Sequence, residues 1–157
     1  MKNKYIYLTE EFYKDYKNCS EILSKKDRPY SMLQIEINNV TWAIPLRSDA
    51  KHNNVIWTDK KNNCGLDLSK AVVIEDKKYI SKKDPIIRQN EFNELKGKDH
   101  IVYKKMKKYI DIYVKAYTNQ HIERNKKICK YSALQYFHEY IPSLKELSAD
   151  NEVAFTK

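Results

Sequence analysis

Apolar side chains change their period along this chain, and the change predicts where strands give way to helices. Tyr5-Ile6-Tyr7-Leu8 is a short apolar run that reads as a strand. Thr9 then offers a hydroxyl that can accept a first-turn N–H, and Glu10 and Glu11 suit the positive end of a helix dipole. Phe12, Tyr13 and Tyr16 follow at helical spacing, and a second short helix is expected over residues 20–25. After the charged stretch closed by Pro29, the period becomes two. Met32, Leu33, Ile35 and Ile37 form one strand, Asn38-Asn39 a turn that tolerates positive φ, and Val40 to Ile44 the returning strand. Pro45 lacks an N–H and is expected to end the pairing. A polar loop over 46–54, a short strand Val55-Ile56-Trp57 and a second polar loop over 59–65 come next. Leu66 and Leu68 alternate with polar residues. Ala71 to Ile74 reads as a buried strand, and Glu75-Asp76-Lys77 as a turn back to Lys78-Tyr79-Ile80.

Beyond Pro85 the pattern becomes helical. A short helix is expected over 86–96. A long amphipathic one follows over 100–117, with Ile101, Val102, Met106, Tyr109, Ile110, Tyr113, Val114 and Tyr117 on one stripe. Lys104, Lys105, Lys107 and Lys108 fill its other side, either as a solvated face or as an RNA-backbone contact. Cys129-Lys130-Tyr131 reads as a last edge strand. Ser132 reads as the cap of a short helix carrying Leu134, Phe137 and Tyr140. Strands first and helices later argue for α+β with an antiparallel sheet, and 157 residues suit one domain.

Composition narrows the chemistry. Gly65 and Gly97 are the only glycines, so neither a P-loop nor a GxGxxG turn can be built. Thirty Lys and Arg against 21 Asp and Glu give a net charge of +9, which favours a polyanionic partner. Thirteen tyrosines can stack on bases, so RNA suits the composition better than lipid. Cys19, Cys64 and Cys129 lie far apart, with no CxxC, which fits a reducing compartment and neither a disulfide framework nor a metal knuckle. The first residues lack a leader-like apolar stretch, and no run approaches the roughly 18 apolar residues of a spanning helix. A soluble, cytoplasmic protein is the expectation.

The sharpest chemical cluster follows Pro45: Arg47, Ser48, Lys51 and His52 fall within six residues after a strand. Cleaving RNA without a metal requires three things. A ribose 2′-hydroxyl must lose its proton, charge on phosphorus must be steadied, and the leaving 5′-oxygen must be protonated. His52 can exchange protons near neutral pH, Arg47 and Lys51 can hold phosphorane oxygens, and Ser48 can donate to the same phosphate. A hydrated loop whose charges are merely solvated is the plain alternative. His100, His121 and His138 lack metal-ligand spacing, so no metal and no cofactor is expected. Two further readings compete with an RNA-cleaving enzyme: a basic RNA-binding module without chemistry, and a membrane-surface protein using the Lys-faced helix.

Four segments in order resemble one family. They are the opening strand with its Thr9-capped helix; Arg28-Pro29-Tyr30 with Gln34 to Trp42; Ala43-Ile44-Pro45-Leu46-Arg47-Ser48 to Lys51-His52-Asn53-Asn54; and Cys129-Lys130-Tyr131-Ser132-Ala133-Leu134. Together they are similar to the ToxN/AbiQ toxins of type III toxin–antitoxin systems, with the CptN branch nearest in length and character. The resemblance implies a metal-independent endoribonuclease that leaves 2′,3′-cyclic phosphate and 5′-hydroxyl ends on cellular mRNA. It implies a bent antiparallel sheet like that of MazF/Kid toxins, with an SH3-like barrel core and surrounding helices. It also implies inhibition by small pseudoknot antitoxin RNAs in an assembly of several protein and RNA copies. By position, Ser48 matches the family's active-site serine, and Arg47 stands where Thr or Ser is common. The family's Ser-Pro-Lys becomes Ser48-Asp49-Ala50-Lys51, with the lysine displaced by one. His52 matches the histidine of a Lys-His variant, and whether Lys51 or His52 is the acid or base stays open. Tyr30, beside Lys25, Lys26 and Arg28, is the expected base-stacking residue. Lys2, Lys4, Lys60 and Lys61 add expected backbone contacts.

Overall fold

The computed structural model describes residues 4–25 and 29–147, so the expected roles of Lys2, Lys26 and Arg28 lie outside the described residues. Strand β1 (Lys4–Ile6) leads into α1 (Glu10–Asp15), and the Thr9 hydroxyl accepts from the Phe12 N–H at 3.3 Å as its cap. The hairpin β2 (Met32–Ile37) and β3 (Val40–Arg47) turns at Asn38 and Asn39, whose φ angles of 52° and 65° are the left-handed pair that a two-residue turn demands. Then come β4 (Val55–Asp59), β5 (Cys64–Asp67) and β6 (Val72–Val73), followed by α2 (Gln89–Leu95), α3 (Asp99–Tyr117) and α4 (Glu123–Lys130). The strands form one antiparallel α+β sheet in the order β1-β2-β3-β5-β4, with β6 also on β3. Among the described residues the path is open and does not close into a barrel.

Pro45 does not end β3. It pairs with Met32 in the register, and the next residue, Leu46, donates its N–H to Ser31 O at 2.8 Å. The proline nitrogen therefore faces the other edge of β3. There β6 pairs with Trp42 and Ala43, and β5 with Leu46 and Arg47. Pro45 fills the gap between these two ladders, where no donor is needed. The same strand thus serves two partners along one edge, and its end carries Arg47 toward β5.

Four other expectations are corrected. Residues 20–25 form turns and irregular chain rather than a helix. The loop expected over 59–65 is a 3-10 turn at Lys60–Asn62 followed by the start of β5. Gly65 makes that strand possible, because a Cβ there would lie 2.5 Å from Ile56 O. The edge strand expected at Cys129 to Tyr131 is the last turn of α4, where Asn125 and Cys129, one turn apart, are the buried pair. The expected helix after Ser132 consists of two 3-10 turns, Ala133–Tyr136 and His138–Tyr140, and Ser132 Oγ accepts from the Leu134 N–H at 3.2 Å.

The core lies where the sheet meets α3. Val102, Met106, Tyr109 and Tyr113 of α3 are buried with Leu33, Trp42, Ile44, Leu66, Leu134 and Phe137, while Ile101 is 45% exposed at the edge of the expected stripe. Each such large apolar side chain contributes about 1.5–3 kcal/mol by leaving water. Among the described residues no helix is long and apolar enough to cross a membrane. Lys104, Lys105, Lys107 and Lys108 are exposed on the outer side of α3.

Candidate active site

The end of β3 and the loop after it are built around a residue that local sequence did not single out. Asp67, the last residue of β5, is fully buried, and its carboxylate is surrounded by donors. Arg47 Nη1 donates to Asp67 Oδ2 at 2.9 Å, and His52 Nε2 lies 3.0 Å from the same oxygen. Ser69 donates twice to Oδ1, from its hydroxyl at 2.6 Å and from its N–H at 3.1 Å. Burial alone would raise the Asp67 carboxyl. Hydrogen bonds from His52, Ser69 and Arg47 outweigh that and hold it below its ordinary value.

This network fixes the imidazole. His52 Nδ1 accepts from the Asn54 N–H at 3.1 Å, which leaves the ring proton on Nε2 to donate to Asp67. Both ring nitrogens are therefore engaged within the protein, so proton transfer to a substrate requires one of those bonds to open. Lys51 is exposed and pairs with Asp49 at 3.5 Å, a surface contact worth little. The candidate cluster thus divides: Arg47 and His52 share Asp67, Lys51 stands in solvent, and Ser48 is exposed beside Arg47.

Arg47 and Ser48 open instead onto a cleft whose other walls come from distant segments: Tyr7, Lys25, Tyr30, Arg88 and Glu91. The extended stretch before α2 forms one wall. Ile86 is pinned there by two bonds: its N–H donates to the Tyr7 hydroxyl at 2.9 Å, and its carbonyl accepts from Ser31 Oγ at 3.0 Å. Lys25 Nζ sits 4.2 Å from the centre of the Tyr30 ring, so the expected stacking residue and the expected cation meet as a cation–π pair. Arg88 reaches back to Cys64 Sγ at 3.5 Å. Glu91, on α2, is 7% exposed and accepts from the Thr58 hydroxyl of β4 at 2.5 Å. Lys4 is exposed on edge strand β1, and Lys60 and Lys61 are exposed at the β4–β5 turn; none of the three lines the cleft.

Many of the tyrosines serve the fold. Tyr16 and Tyr140 both donate to Glu75, at 3.0 and 2.6 Å, and Tyr79 donates to Asp15 at 2.7 Å. The Asp15 contact, with burial, pushes the Tyr79 phenol up to about 12. Tyr109 is buried and donates to Ser132 Oγ at 2.7 Å. Their abundance is therefore in large part a structural feature, and Tyr30 and Tyr7 are the ones at the cleft.

Sequence reasoning missed Asp67, Ser69, Arg88 and Glu91. Asp67 carried a faint signal, a carboxylate between Leu66 and Leu68 in an alternating run. Among the described residues no three His, Cys, Asp or Glu side chains converge in a way that could hold a metal ion. Comparison of the chain with family models, with curated proteins and with solved structures gave no match.

Proposed function

We propose that this protein is an endoribonuclease of the ToxN/AbiQ kind, a toxin held in check by a small pseudoknot RNA. One observation carries the reading: Arg47 and Ser48 leave the sheet side by side into a cleft that also holds Lys25, Tyr30 and Arg88. Guanidinium and ammonium groups can neutralise a phosphate approaching pentavalency, and a hydroxyl and an aromatic ring can orient the nucleotides on either side. Transesterification through the ribose 2′-oxygen then gives a 2′,3′-cyclic phosphate and a 5′-hydroxyl. The bent-sheet likeness to MazF/Kid toxins is part of this proposal. It is supported by the way β3 divides its edge between β6 and β5. The net charge of +9 supports an RNA partner, and an assembly of several protein and RNA copies is part of the same proposal.

A second reading, an RNA-binding protein without chemistry, is favoured by the engagement of both His52 ring nitrogens. Incubating the purified protein with end-labelled RNA in excess EDTA separates the two. The proposal expects cleavage with cyclic phosphate ends and its loss in Ser48→Ala at unchanged melting temperature. Binding without cleavage supports the second reading. Products with 3′-hydroxyl and 5′-phosphate ends would sink the transesterification mechanism.

A further inference from the structure

We propose that Glu91 is the general base of the cleft, the group that takes the proton from the attacking 2′-hydroxyl. This rests on the ribonuclease reading above. A ribose hydroxyl is a poor nucleophile until a base within hydrogen-bond reach accepts its proton. His52 is badly disposed for that task, with Nδ1 on the Asn54 amide and Nε2 on Asp67. Glu91 is the one carboxylate among the described residues that line the cleft, and it faces the same space as Arg47, Ser48, Tyr30 and Arg88.

Its bonding is as telling as its place. Among the described residues Thr58 Oγ1 is the hydrogen-bond donor to Glu91, and it binds Oε2 at 2.5 Å. No Lys or Arg of the described residues forms an ion pair with Glu91, although Arg47 and Arg88 share its cleft. Nor is Oε1 among the buried polar atoms left without a partner, so it has access to water in the cleft. The Thr58 bond sets the plane of the carboxylate, and the second oxygen is left to accept a proton. The atoms balance: the 2′-hydroxyl proton moves to Glu91, the 2′-oxygen bonds to phosphorus, and the bond from phosphorus to the 5′-oxygen breaks. The 5′-oxygen leaves with a proton from water, and Glu91 returns its own to solvent. Arg47 and Arg88 can balance the charge that gathers on the phosphorane.

A structural role, tying α2 to β4 through Thr58, is the competing account. Glu91→Gln distinguishes the two, because the amide oxygen can still accept from Thr58 but cannot act as a base. The measurement is the single-turnover rate on an RNA oligonucleotide from about pH 4 to 8, with RNA affinity and melting temperature alongside. The parent rate should fall on the acid side of that range. In Glu91→Gln the rate should drop roughly 10²–10⁴-fold and the acid limb should vanish, with RNA affinity and melting temperature held. Glu91→Asp keeps a carboxylate and should retain part of the rate together with the acid limb. Thr58→Val removes the bond that sets the carboxylate plane but not the base, so it should lower the rate less than Glu91→Gln does and keep the acid limb. An active parent with an equally active Glu91→Gln overturns the assignment of the base and leaves the ribonuclease reading intact. So does a Thr58→Val variant that loses as much activity as Glu91→Gln. A parent that binds RNA and never cleaves it overturns the ribonuclease reading, and this inference with it.

Discussion

Asp67 and Glu91 are both enclosed carboxylates near the end of β3, and they are satisfied in opposite ways. Asp67 receives four hydrogen bonds, from Arg47, from His52 and twice from Ser69, and is fully buried. Glu91 receives one, from Thr58, and borders a cleft with cations that do not pair with it. A saturated carboxylate has little capacity left for a substrate, and its charge holds other groups in place. An unsaturated one beside cations that bind elsewhere keeps an oxygen on offer. The Asp67 region is therefore the frame of the candidate site and the Glu91 region its open face.

The comparison breaks most directly at Asp67. Removing one partner of a buried charged pair costs about 3–5 kcal/mol, and somewhat less where the orphaned groups can reach water. Arg47 is 25% exposed and His52 32%, so Asp67→Ala should lose roughly 2–3 kcal/mol in urea unfolding. A loss below about 0.5 kcal/mol, the range of ordinary surface substitutions, would mean that Asp67 is not the frame.

A gentler probe is pH. Asp67 is held below its ordinary value of 3.8, so the folded state binds its proton more weakly than the unfolded chain does. Its contribution is then fully present above that ordinary value and is lost as pH falls through the depressed one. The stability gap between the parent and Asp67→Asn should stay constant from neutral pH down to about pH 5 and close in stronger acid. A gap that widens toward acid would reverse the sign and refute the depressed value.

The smallest expected effect sharpens the division within the loop. Lys51→Ala should change stability by less than about 0.5 kcal/mol, since its ion pair with Asp49 is exposed. It should also weaken RNA binding less than Arg47→Ala, because Arg47 lines the cleft. If Lys51→Ala abolishes cleavage while Arg47→Ala spares it, the electrostatic work sits outside the cleft and the open face has been misplaced.

Some features were legible because neighbours in sequence produce them. The Thr9 cap, the Asn38-Asn39 turn and the inward stripe of α3 each depend on residues within one or two turns. The continuation of β3 through Pro45 was not legible, because whether a missing N–H matters depends on which strand lies opposite it. The same holds for Cys64 and Gly65, polar-looking in sequence and buried in β5 because β3 and β4 flank them. Cys129 and Tyr131 show a related ambiguity, since so short a run suits a strand or a helix end equally well.

The candidate site divides along the same line. Sequence by itself determined that a basic, Gly-poor chain would carry Arg47, Ser48, Lys51 and His52 near the exit of a strand, because a few adjacent residues specify a strand, though it ended that strand at Pro45, two residues short of Arg47. Only the tertiary structure decided that Arg47 and His52 would meet on Asp67, 20 and 15 residues away, and that Glu91 would join Arg47 and Ser48 in a cleft. The reason is physical. Hydrogen bonds and desolvation act over a few ångströms, and which side chains come that close is set by strand register and helix packing, not by distance along the chain.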